Sequence, residues 1–120
     1  GDMEQIRFII DNAPKGFGVI SGDDALAADL MDAGAVGLIS VASNAWPRTM
    51  YKIVHEHDHV LQRKFGPIIK LLFKEGNPAG IKTVLAEQGL MENVSRLPLV
   101  PNSLAVQEQI RQTIAYMSTT

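Results

Sequence analysis

Two short apolar runs constrain this chain more than anything else in it: Gly18-Val19-Ile20-Ser21 and Val36-Gly37-Leu38-Ile39-Ser40-Val41. Both are rich in β-branched residues and end in small or polar ones, the pattern of strands covered on both faces. Between them Asp24 to Ala33 carries Leu26, Leu30 and Ala33 at helical spacing, and Gly34 follows as a stop. A strand, a crossover helix and a second strand make a parallel pair, because so long a connection is not a hairpin. Ser21, Asp23 and Ser40 then fall at the carboxyl ends of the strands. In parallel α/β proteins that edge is where chemistry is placed.

The remainder reads as helices around this pair. Asp2 and Gln5 form a capping-box pattern, and Met3, Ile6, Ile9 and Ile10 line one helical face until Ala13-Pro14. Lys15-Gly16-Phe17 is the turn into the first strand. Beyond Asn44, Pro47 suits the first turn of a helix. The helical pattern continues from Arg48 to Phe65 as one helix, since Tyr51 to Phe65 offers no turn residue. Gly66-Pro67 is expected to bend or break it, with Ile68 to Lys74 resuming. Gly76-Asn77-Pro78 is a turn, and Ala79 to Gln88 a helix stopped by Gly89. The prolines make Arg96-Leu97-Pro98-Leu99-Val100-Pro101 extended. Ser103 caps a final helix with Leu104, Val106, Ile110, Ile114 and Met117 on or near one face.

Composition narrows the function classes. A net charge of −2 supplies no basic field for nucleic acid or an anionic membrane. The absence of cysteine excludes disulfides, thiolate nucleophiles and cysteine-ligated zinc. No apolar run is long enough to span a bilayer, and Asp2 and Glu4 do not begin a signal peptide. A cytoplasmic location fits these features, and no motif calls for a cofactor or a metal. A physical difficulty remains. With 120 residues there is one small domain, yet two parallel strands do not make a stable sheet and leave sticky apolar edges. The expected remedy is association with further copies or with more of the same fold.

Four motifs, in order along the chain, resolve that difficulty by resemblance. They are Ser21-Gly22-Asp23-Asp24; Gly37-Leu38-Ile39-Ser40-Val41 with Asn44; Asn77-Pro78-Ala79-Gly80-Ile81-Lys82; and Arg96-Leu97-Pro98-Leu99-Val100-Pro101. Together they resemble the carboxy-terminal part of the dihydrodipicolinate synthase family (4-hydroxy-tetrahydrodipicolinate synthase), within the N-acetylneuraminate lyase class I aldolase superfamily. The likeness covers essentially the whole chain. It implies an α/β fold, the carboxy-terminal segment of a (β/α)8 TIM barrel with its last two parallel strands, followed by a helical carboxy-terminal extension. Residues 1–46 would be the last βα units, with strands near 18–21 and 36–41, and residues 47–120 the final barrel helix and helical region.

The resemblance also implies chemistry. In the family a lysine forms a Schiff base with pyruvate, and the enamine derived from it attacks an aldehyde, here aspartate semialdehyde. That lysine belongs to a Lys-Glu-Ala-Thr/Ser-Gly motif whose final glycine aligns with Gly1, which places it upstream. The proton-relaying tyrosine, the carboxylate-binding threonines and the arginine that grips the second substrate fall upstream too. No lysine of this chain replaces the missing one by alignment. No catalytic residue is therefore assigned here, and the chain alone is expected to be inactive. What carries over is substrate binding: Gly22 and Ile39 match positions at the pyruvate end of the pocket, with Ser21, Asp23 and Ser40 as weaker neighbours. The implied partners are pyruvate and a small aldehyde in the complete enzyme, and either a homo-oligomer or the missing part of the barrel. Between Met50 and Asn77 the chain departs from the family, whose helical hairpin is longer there; it looks shortened, or fused into one helix.

Other constellations have plainer readings. On one helix His55 and His59 would sit a turn apart, a chelating spacing, but no third ligand is evident. A solvated polar face opposite Ile53, Val54, Val60 and Leu61 is the leading reading. Asp23-Asp24 suits helix capping better than acid–base pairing. Gly16-Phe17-Gly18 precedes a strand and so is no phosphate loop. Lys82 and Trp46 are expected to be structural.

Overall fold

Local signals near the amino terminus act as expected. The Asp2 carboxylate accepts the amides of Glu4 and Gln5 and opens α1 (Met3–Asn12). Met3, Ile6 and Ile10 pack with Leu26 and Val54 against a core of Leu30, Met31 and Ala35. Ile9, grouped with them by spacing, is 44% exposed instead. In this computed structural model, which describes residues 1–119, the chain then forms β1 (Ile20–Ser21), a 3₁₀ turn at Asp24–Leu26, α2 (Ala27–Asp32) and β2 (Gly37–Leu38). The strands are parallel, Ile20 facing Gly37 and Ser21 facing Leu38. Bonds from the Val36 amide to the Val19 carbonyl (2.9 Å) and from the Ile39 amide to the Ser21 carbonyl (2.8 Å) extend the pairing at either end. Ala27, Ala28, Leu30 and Met31 bury α2, and Gly34, at φ 110°, ends the crossover.

After a second 3₁₀ turn at Ala42–Asn44, α3 (Pro47–His55) starts with Pro47 in its first turn. The single helix expected from Arg48 to Phe65 is in fact two. α3 stops at His55, His57 takes a left-handed φ of 51°, and α4 runs His59–Leu72 straight through Gly66-Pro67. Asp58 explains the position of the break. Its carboxylate accepts the Leu61 amide at 2.8 Å and its carbonyl the Gln62 amide at 2.9 Å, so it caps a new helix. Pro67, by contrast, forgoes only one backbone bond within α4. The hairpin is therefore not fused into one helix.

The chain divides into two compact units, residues 1–63 and a second beginning at Lys64. The second unit buries Ile68, Ile69 and Leu72 of α4, Ile81, Thr83 and Val84 of α5 (Ala79–Glu87), and Val106 and Ile110 of α6 (Leu104–Thr119). Gly80 is required where it stands, because a Cβ there would collide with the Leu72 backbone. Thr83 and Asn102, both buried, share a 2.8 Å hydrogen bond. Ser103 caps α6 through the Val106 amide. Leu104, placed on the apolar face by its spacing, is 83% exposed. The Asn77–Pro78 and Leu97–Pro98 peptides are cis.

Candidate functional site at the strand ends

Side chains alternate across a strand, and paired residues share a face. Ile20 and Gly22 therefore lie on the same side as Gly37 and Ile39, opposite Ser21 and Leu38. On that side Ile20 is 56% and Ile39 75% exposed, while Ser21 on the other is 4%. One face of the pair is thus open and apolar. Gly22 and Ile39 end it, each immediately beyond its strand.

Short polar residues shape the loops that leave this edge. The Ser21 hydroxyl accepts the Asp23 amide at 3.1 Å. The Asp23 carboxylate accepts the Ala25 amide at 2.9 Å and caps the 3₁₀ turn. Asp24 does something else. It is buried, and its Oδ2 accepts the amides of Val41 (3.0 Å) and Ala42 (2.9 Å) across the site. The two aspartates therefore have separate structural tasks. On the second loop the Ser40 hydroxyl accepts the Ser43 amide at 2.9 Å, and the Asn44 side chain donates to the Val41 carbonyl at 3.0 Å. A groove of about 380 Å3 borders β2, lined by Leu38, Ser40, Met50 and Tyr51 among others. A second of about 370 Å3 borders β1 and includes Ile20, Ser21 and Gly22.

Of the remaining sequence candidates, His55 shares the groove beside β2. His55 and His59 belong to different helices, so the one-turn chelating pair does not form. His55 lies against the Tyr51 ring, with centroids 4.2 Å apart. His57 and His59 instead converge on Asp32, His57 Nδ1 lying 2.5 Å from one carboxylate oxygen and His59 Nε2 2.6 Å from the other. The His57 bond foremost, with that of His59, holds the Asp32 carboxyl below the usual carboxylate range. Among the described residues no group of three acidic or imidazole side chains is arranged to hold a metal. In the second unit, Lys82 donates to the Val94 carbonyl at 3.1 Å, a structural tie. The cross-loop role of Asp24 is the feature that sequence reasoning missed, since an aspartate at a strand end looks the same whether it caps or bridges.

A parallel strand–helix–strand unit with polar residues at its carboxyl edge, continued by helices, is an α/β protein of the kind that builds sites at strand ends. The chain belongs to the dihydrodipicolinate synthetase family, whose model matches residues 1–117. It is 40% identical to the 4-hydroxy-tetrahydrodipicolinate synthase of Azobacteroides pseudotrichonymphae, over 99% of this chain and 43% of that protein. The corresponding protein of Parabacteroides distasonis is 41% identical, over 98% of this chain and 42% of the relative. Solved structures agree. The synthase of Methylacidiphilum fumariolicum SolV superposes with a TM-score of 0.91 at 32% identity, and that of Aquifex aeolicus with 0.91 at 30%. They cover 99% and 98% of this chain, and this chain covers 42% of each. The chain thus spans under half the length of the relatives it matches. Among the described residues no helix is long and apolar enough to cross a membrane.

Proposed function

We propose that this chain is the closing part of a (β/α)8 barrel, with β1 and β2 as its seventh and eighth strands, and that it walls the pyruvate pocket of a Schiff-base-forming aldolase. The observation that carries the reading is the open face ending at Gly22 and Ile39. It is an apolar surface at the carboxyl edge of a parallel pair, of the kind that a closed barrel buries. A solved dihydrodipicolinate synthase of Acinetobacter baumannii, in complex with pyruvate, supports it at 32% identity and a TM-score of 0.90, over 99% of this chain and 43% of that one.

In this reading a lysine supplied by another part of the barrel attacks the C2 carbonyl of pyruvate, and water leaves as the imine forms. The protonated imine draws electrons from C3, which loses a proton to give an enamine. C3 of the enamine then bonds to the aldehyde carbon of aspartate semialdehyde, the condensation that serves lysine biosynthesis, in a cytoplasmic setting. The residues of this chain bind and shield. Gly22 lets the ligand approach the backbone, and a Cβ built there meets nothing within 4 Å. Ile39 presents an apolar side chain that keeps water from the imine. A second reading follows from the same exposure of Ile20 and Ile39: a catalytically inactive, self-associating helical fragment in which another copy covers the face.

The test is to join this chain to the preceding part of the barrel of the Azobacteroides relative, add pyruvate, reduce with borohydride and map the adduct by mass. The adduct is expected on a lysine of the added part. An adduct on Lys70, Lys74 or Lys82 overturns the proposal.

A further inference from the structure

Asp24 is the one charged side chain among the described residues that is buried, at 3% exposure. Capping does not account for it, because Asp23 already caps the turn through the Ala25 amide. A buried carboxylate is costly unless hydrogen bonds replace its water. Here Oδ2 receives two backbone amides, Val41 and Ala42, and Oδ1 receives none. The last backbone bond between the strands is that of the Ile39 amide to the Ser21 carbonyl. Past it, the Asp24 carboxylate ties the loop after β1 to the loop after β2. Gly22 and Ile39 each lie just before one end of that tie.

We infer that Asp24 is a positioning residue for the pyruvate wall, fixing the separation of Gly22 and Ile39 by pinning the amides of Val41 and Ala42. The inference rests on the pyruvate-wall reading above. Asp24 acts only through the backbone and does not touch the ligand. Because Oδ2 alone carries both bonds, an amide oxygen there can accept the same two amides, whereas a truncated side chain leaves both buried and unpaired.

The joined barrel tests this with pyruvate itself, by borohydride trapping as a function of pyruvate concentration. Asp24→Ala is expected to raise the half-saturating concentration roughly tenfold, the part of the two lost hydrogen bonds that reaches Gly22 and Ile39 through the backbone. Trapping at saturation is expected to stay within about twofold of the parent, because the lysine is untouched. Asp24→Asn restores the parent's half-saturation. Asp24→Ser, a smaller change at the same place, stands in for the alanine variant if that fails to fold. If the parent forms the imine and the truncated variant half-saturates at the parent's concentration, the inference falls while the pyruvate reading stands. Loss of affinity in Asp24→Asn equal to that of the truncation also overturns it. If the parent forms no imine, both fall together.

Discussion

Asp32 receives an imidazole on each carboxylate oxygen, and these bonds make it more acidic folded than unfolded. A group shifted in that direction stabilises the fold wherever the carboxylate is ionised in both states. The contribution is lost as pH falls through the folded value. The denaturation midpoint of the parent chain is therefore expected to drop more steeply between about pH 5 and pH 2 than that of Asp32→Asn. Parallel profiles would contradict the clamp. The difference is modest, because the Asp32 side chain is half exposed and solvent screens it. Neither this clamp nor the Asp24 tie was legible in the sequence. Asp32 lies 25 and 27 residues from its imidazoles, and Asp24 lies 17 and 18 from its amides. Local spacing carries no signal at such separations; only the fold brings these groups together. Asp2 and Ser103 were legible because each caps amides within three residues of itself.

Elements differed in how plainly the residues announced them. The β-branched runs and the Gly34 stop sufficed for the strand–helix–strand unit, since a buried parallel strand leaves a nearly unbroken apolar signature. The break between α3 and α4 did not announce itself. Apolar periodicity runs across it, and the residue in the left-handed conformation is His57 where glycine is the usual choice. Gly66-Pro67 drew attention instead, yet helix continues through it. The backbone at His57 makes a direct prediction. His57→Gly and His57→Val both remove the imidazole from Asp32, but only valine is strained at a positive φ. The valine variant is expected to be less stable than the glycine variant by about 1–2 kcal/mol in denaturant unfolding. Equal stabilities would show that the break is not held at that dihedral angle.

At the scale of the whole molecule, two parallel strands cannot cover both of their own faces. The sequence foretold that, and the structure bears it out in the exposure of Ile20 and Ile39 on one face, at 56% and 75%, and of Val36 on the other, at 67%. The four motifs pointed to the family because they span the chain in order, and the family match over residues 1–117 agrees with them. Which surface covers the open face is a matter of long-range contact, so periodicity and composition alone could not supply it. The most direct measurement is made on the joined barrel with pyruvate reduced onto its lysine and the isoleucine methyl groups isotopically labelled. A nuclear Overhauser effect is expected between the C3 protons of the trapped pyruvate and Ile39, and none to Ile53, which is buried in α3. A trapped adduct whose C3 protons show no such effect to Ile39 would contradict the account.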